Sequence, residues 1–191
     1  MRNIAIFASG SGTNAENIIR YFSERKSVKV ALVLSNKPDA YVLERASRLK
    51  VPAGTFNRSD FYQTDKVLEK LREYKIDFIV LAGFLWLIPE KILNCYRKKI
   101  VNIHPALLPK FGGKGMYGER VHRAVLEAGE SETGITIHYV NEKYDDGDII
   151  FQVRCKVEPN DTPETLAVRV HELEYRYYPE LIEKLVLGLD N

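Results

Sequence analysis

The stretch Val101-Asn102-Ile103-His104-Pro105 holds the residues best suited to chemistry. In a strand, side chains two apart share a face, so Asn102 and His104 project together while Val101 and Ile103 point the other way. Pro105 has no N–H for a neighbouring strand, so the strand should end there with both polar groups at its carboxyl end. Open α/β sheets bind their ligands at such ends. The pair suits acyl transfer to an amine, in which an oxygen gains negative charge and the nitrogen must lose a proton. The Asn102 amide can donate to the oxyanion, and an imidazole of ordinary pKa, about 6.5, can move protons near neutrality. Spacing alone does not separate this reading from a capping asparagine beside a hydrogen-bonded core histidine.

His138 lies on the next expected strand, and Asn141-Glu142-Lys143-Tyr144-Asp145-Asp146-Gly147 forms the loop after it. A carboxylate set against His104 would orient the ring and raise its pKa by favouring the imidazolium. Either aspartate beside Gly147 also reads as plain turn chemistry.

A second constellation is Ser9-Gly10-Ser11-Gly12-Thr13-Asn14, between an apolar strand and a helix. Glycines permit a sharp turn, and the free N–H groups of a helix start can hold an anion. A tight turn with no ligand is the alternative. Gly10-x-Gly12-x-x-Ala15 also fits a dinucleotide fingerprint, which wants a carboxylate about 20 residues on. The second strand instead ends Leu34-Ser35-Asn36-Lys37, so a monophosphate suits the loop better than NAD.

The elements that must position these groups follow from hydrophobic period. Ile4–Ala8, Val28–Leu34, Phe78–Ala82 and Ile100–His104 read as strands; the first and third are continuously apolar and the second is broken only by Lys29, as in a parallel sheet buried on both faces. A helix opens near Thr13 or Asn14 and turns Ile18, Ile19 and Phe22 inward. Another spans Ala40–Leu49, with Ala40, Leu43, Ala46 and Leu49 on one stripe. After a short extended piece at Ala53–Phe56, a single helix is expected over Asp60–Tyr74. Short helices near Pro89–Leu93 and at Glu119–Leu126 come later. Thr133–Val140 and Asp148–Val157 form an antiparallel pair, and Thr162–Leu187 is a long helix that Pro179 could bend. The fold class is therefore α/β: a doubly wound, mostly parallel sheet with helices on both faces and an antiparallel hairpin on the C-terminal side.

Bulk properties set limits. The 191 residues favour one domain, 1–191, with a phosphate-binding half (1–100) and a catalytic half (101–191). A net charge of +2 gives no basic footprint for nucleic acid. The longest apolar stretch, Phe78–Ile88, has 11 residues, short of the roughly 20 that cross a bilayer. The apolar start, Ile4–Ala8, is too short for a signal-peptide h-region and runs into glycines, so a cytoplasmic location is expected. Cys95 and Cys155 form no disulfide framework, and the four histidines lack zinc spacing, so no metal is expected.

Together these motifs resemble the folate-dependent formyltransferases, in particular the glycinamide ribonucleotide group. The resemblance covers essentially the whole chain. It rests on Ser9–Asn14, Leu34–Lys37, Leu81-Ala82-Gly83-Phe84, Asn102-Ile103-His104-Pro105-Ala106-Leu107-Leu108-Pro109 and Asp145-Asp146-Gly147-Asp148-Ile149-Ile150. It implies 10-formyltetrahydrofolate as co-substrate, glycinamide ribonucleotide as acceptor, and a monomer or homodimer. Asn102, His104 and Asp145 would be catalytic, with protonated His104 and Asn102 stabilising the oxyanion and His138 supporting them. Gly12, Thr13 and Asn14 would bind the substrate phosphate and Glu174 its ribose. Leu85, Trp86, Leu87 and Ile88 would line the pterin pocket, closed by Asn141, Tyr144 and Asp145, with Asn102 also at the folate. Part of each of Leu85, Leu87 and Ile88 reads equally as core.

Two departures stand out. Trp86 replaces an arginine that in many members meets the folate's glutamate tail. Lys110–Gly118 is also longer and richer in glycine than the usual version. Other readings are a formyl-folate hydrolase, a sugar-nucleotide or methionyl-tRNA formyltransferase, a non-catalytic nucleotide-binding module, and an NADP-linked reductase using Ser35 and Lys37. An additional domain is expected in the hydrolase and tRNA enzymes.

Overall fold

The computed structural model describes residues 1–190. Its strands are β1 (Arg2–Phe7), β2 (Val28–Ser35), β3 (Ala53–Thr55), β4 (Phe78–Leu81), β5 (Ile100–His104), β6 (Glu132–Tyr139) and β7 (Ile149–Lys156). Its helices are α1 (Thr13–Phe22), α2 (Tyr41–Arg48), α3 (Arg58–Tyr62), α4 (Lys66–Glu73), α5 (Glu90–Cys95), α6 (Glu119–Glu127) and α7 (Pro163–Leu187). All seven strands join one sheet in the order β3-β2-β1-β4-β5-β6-β7. The first five run parallel, β6 runs against them, and β7 is antiparallel to β6.

Both faces are covered, which explains the uninterrupted apolar runs. Along β1, Ile4 and Ile6 pack with α1, α2 and α7, while Ala5 and Phe7 pack against the α3–α5 side. From β1 the chain winds outward through β2 and β3, then returns to β4 on the other side. The crevice between the carboxyl ends of β1 and β4 is thus the topological switch point.

One expectation needs correction and another needs extending. The single helix over Asp60–Tyr74 is two helices, α3 and α4. Asn57 caps α3, its side chain accepting from the Asp60 N–H at 2.8 Å. The Thr64 hydroxyl then donates to the Asp60 carbonyl at 3.2 Å, an acceptor that a continuing helix would offer to a backbone N–H. The stripe expected on α2 does pack inward, Ala40 and Ala46 buried and Leu43 and Leu49 half-buried against the same core, but it also includes the buried Val42. The Val42 N–H donates to the Gly10 carbonyl at 3.1 Å, so contact with the glycine turn sets the rotation of the helix.

Pro179 lies inside α7 and cannot donate to the carbonyl one turn back. The Asn17 side chain donates to that carbonyl, on Tyr175, at 2.9 Å. The Tyr178 hydroxyl, wholly buried, donates to the Leu81 carbonyl at 2.8 Å and ties α7 to the end of β4.

Candidate active site

A cavity of about 580 Å³ opens at the switch point and extends across the end of β5. One end is made by the glycine turn. Gly12 has φ 74, in the left-handed region, and a Cβ there would stand 2.4 Å from Val42 Cγ2. Glycine is required twice over, by the backbone angle and by the packing of α2. No side chain caps α1, and Gly12, Thr13 and Asn14 all line the cavity. Opposite them, Glu174 of α7 is 4% exposed and accepts from the Asn14 side chain at 2.8 Å. Burial pushes its carboxyl up to about 7, against the lowering effect of Asn14.

The middle of the cavity is braced by Ser9. Its N–H donates to the Gly83 carbonyl at 3.0 Å, and its hydroxyl donates to Asn36 at 2.6 Å and accepts the Leu85 N–H at 3.0 Å. The β1 turn thereby holds the segment after β4 in place. Leu85 and Trp86 line the cavity; Leu87 and Ile88 do not. Ile88 is core, and the Leu87 carbonyl accepts from the Tyr62 hydroxyl at 2.9 Å. Trp86 belongs to an aromatic cluster with Phe56, Phe61, Tyr62 and Phe84. The Arg58 guanidinium stands 5.6 Å from its ring centre, so a cation accompanies the tryptophan that occupies the arginine position.

The other end gathers Asn102, His104 and Asp145. On β5, Asn102 and His104 share a face as strand geometry demands, and β6 pairs Asn102 with His138. The Asn102 amide nitrogen lies 3.2 Å from His138 Nε2 and donates to Asp145 Oδ1 at 3.4 Å. His138 Nδ1 donates to the Tyr139 carbonyl at 2.8 Å, which leaves Nε2 as the acceptor for Asn102. Asp145 Oδ2 accepts the Gly113 N–H at 2.9 Å and lies 3.5 Å from His104 Nδ1. His104 Nε2 faces the Phe111 carbonyl at 2.7 Å and must donate to it. Both anchors of the glycine-rich segment, Phe111 (φ 56) and Asp145 (φ 53), have left-handed backbones, held by these bonds. A Cβ on Gly112 would meet Leu108 Cδ2 at 2.5 Å and Asp145 Cβ at 3.2 Å, so glycine lets this segment lie against the carboxylate.

The electrostatics correct one expectation. His104 is 3% exposed, and burial holds its imidazole below the ordinary value although Asp145 and the Phe111 carbonyl pull upward. The raised pKa anticipated from a nearby carboxylate does not arise, because desolvation outweighs the pair. Asp145 is the reverse case: burial pushes its carboxyl up, but His138, His104 and the Gly113 N–H together bring it below the usual range. The resting site therefore pairs a neutral imidazole with an ionised carboxylate near neutrality.

Tyr144 lines the cavity beside Asp145, whereas Asn141 lies on a separate surface cavity with Leu93 and Arg97. Sequence reasoning passed over several residues that build the site. Thr136 accepts the Leu108 N–H at 3.0 Å and donates to the Ala106 carbonyl at 2.7 Å, holding the turn after His104. Its one sequence signal was its place two residues before His138, on the same strand face. His122 and His171 also line the cavity, and their helical periodicity gave no hint of it.

Comparison with known proteins agrees with this arrangement. The formyl transferase family model matches residues 2–182. A Bacillus subtilis phosphoribosylglycinamide formyltransferase is 40% identical over 198 residues, covering all of this chain and 97% of that one. The chloroplastic phosphoribosylglycinamide formyltransferase of Arabidopsis thaliana is 43% identical over 187 residues, covering 95% of this chain, which spans only 64% of the plant protein. The crystal structure of phosphoribosylglycinamide formyltransferase from Anaplasma phagocytophilum superposes with a TM-score of 0.89 at 33% identity, covering 98% of this chain and 87% of that one. Matched along nearly its whole length, this chain belongs to the formyl transferase family.

Proposed function

We propose that this protein transfers the formyl group of 10-formyltetrahydrofolate to the amine of glycinamide ribonucleotide, a step of purine synthesis. The observation that carries this reading is the cluster of Asn102, His104 and Asp145 in one cavity with an uncapped helix start at its far end. A phosphate at Gly12–Asn14, with Glu174 at the ribose, directs the rest of a ribonucleotide toward His104. Leu85, Trp86 and Tyr144 line the cavity with apolar and aromatic surface suited to a pterin.

The chemistry follows from the protonation states. The amine nitrogen bonds to the formyl carbon, and the carbonyl oxygen becomes an oxyanion. Asn102 can turn its longer hydrogen bond from Asp145 to that oxygen. Neutral His104 has its acceptor at Nδ1, since Nε2 donates to Phe111. It takes the proton that the amine sheds and becomes an imidazolium beside Asp145, 3.5 Å away. The carbon–nitrogen bond to the folate then breaks, the oxyanion collapses to the new formamide, and the folate nitrogen receives the proton. His138 acts through Asn102, fixing its amide.

The same reading takes residues 1–191 as one catalytic unit, with 1–100 mainly serving the phosphate and 101–191 the transfer. It takes the trio, supplied by a single chain, as sufficient in a monomer or homodimer. Two unpaired cysteines, Cys95 exposed among them, suit a reducing cytoplasm. Among the described residues no helix is long and apolar enough to cross a membrane. The deciding assay follows formyl loss from the folate with and without glycinamide ribonucleotide. Loss that depends on the ribonucleotide and yields its formamide is expected; loss to water alone would favour the hydrolase reading.

A further inference from the structure

Among the described residues, three buried side-chain polar atoms have no hydrogen-bond partner: Asn14 Oδ1, His122 Nδ1 and Thr133 Oγ1. Asn14 and His122 line the same cavity. Buried polar atoms are almost always paired, so two unpaired ones on residues that line a single cavity point to a ligand there. Asn14 already stands at the ribonucleotide end. His122 has no part in the transfer chemistry above, and at 1% exposure it is too buried to be a surface histidine.

Its position says what it meets. His122 sits early in α6, which packs on α7. Apart from burial, the charges it feels most are those of His171 and then His104. His171 lies 3.8 Å from Glu174, one turn along α7. His122, His171, Glu174 and His104 all line the one cavity. Burial pushes its imidazole down to about 4, so near neutrality it offers one N–H and one lone pair and no charge. Such a group suits an amide, which is polar, uncharged and able to donate and accept. Phosphate and carboxylate would call for a cation.

We propose that His122 hydrogen-bonds the glycinamide amide of the ribonucleotide and so positions the chain that carries the attacking amine. The proposal rests on the ribonucleotide reading of this site. It makes His122 a specificity-determining residue, distinct from the groups that handle the proton.

The test compares His122→Leu and His122→Asn with the wild-type enzyme in steady-state assays, calorimetric binding and thermal unfolding. In His122→Leu the KM for glycinamide ribonucleotide should rise about tenfold, as for a lost hydrogen bond to a polar ligand. The KM for the folate should hold, and the melting temperature should not fall, because an unpaired buried atom has been removed. His122→Asn, whose amide can occupy the place of Nδ1, should recover most of the affinity. An unchanged ribonucleotide KM in His122→Leu overturns the proposal. So does a joint rise of both KM values with a lower melting temperature, which marks a structural role. If the wild type fails to turn over the ribonucleotide, the functional reading falls first. Calorimetry with the same ribonucleotide then decides the inference, equal affinity in wild type and His122→Leu overturning it.

Discussion

The two ends of the cavity are built from different material. At the Gly12 end the frame is backbone: a left-handed glycine, an uncapped helix start, and Val42 packed where a side chain would otherwise be. At the His104 end the frame is side chain, with Asn102, His104, His138 and Asp145 satisfying one another and the glycine-rich segment. The first kind of site depends on a conformation and tolerates little added volume. The second depends on a balance of desolvation and pairing, so small chemical changes alter rate and pH response more than shape.

Substitutions can break this contrast. The largest effect is expected at the side-chain end. His104→Ala should lower kcat by about two decades or more with the KM for the ribonucleotide nearly constant, since proton transfer is lost and binding is not. A comparable loss confined to KM would move His104 into the binding frame. At the backbone end, Gly12→Ala combines a left-handed backbone with a clash, and should cost about 2–4 kcal/mol in denaturant unfolding. It should also weaken ribonucleotide binding. Adding Val42→Ala to Gly12→Ala should restore the part due to the clash and leave the part due to φ. If the second substitution restores nothing, the packing half of the argument is wrong.

Glu174 sharpens the comparison because it belongs to the Gly12 end yet behaves like the buried groups opposite. Its folded pKa, about 7, exceeds the ordinary 4.5. The folded state thus holds a proton that the unfolded chain releases, and stability falls as pH rises from about 4.5 to about 7. Glu174→Gln should remove that slope, gaining up to about 3 kcal/mol at pH 8 relative to the parent and little at pH 4. Equal changes at both pH values would show that the carboxyl is not held protonated. The smallest shift is expected from Asp145→Asn. Asp145 raises the His104 pKa, so its removal lowers that pKa further and moves the acid limb of turnover to lower pH, with about a tenfold slower plateau. An identical pH profile would take Asp145 out of the role.

Much of the molecule was legible in its residues. Continuous apolar runs gave the buried strands, and period two placed Asn102 and His104 on one face because nothing in tertiary packing can rotate alternate residues of a strand independently. The helix over Asp60–Tyr74 was misjudged because a capping asparagine and a back-bonding threonine override propensity over a few residues. On α2 the apolar stripe was legible, but the burial of Val42 was not, because it is set by contact with Gly10 and Gly12, about 30 positions away.

By itself, the order of residues determined the sheet class, the strand end that opens on the cavity, the glycine turn and membership of a chemical family, because these depend on local period and short motifs. Tertiary structure alone decided the protonation of His104, the pairing of Glu174 with Asn14, and the gathering of His122 and His171 onto the cavity. Each of those depends on how much water a group loses and which distant group replaces it. Desolvation is a property of the packed whole, so no spacing along the chain can encode it legibly.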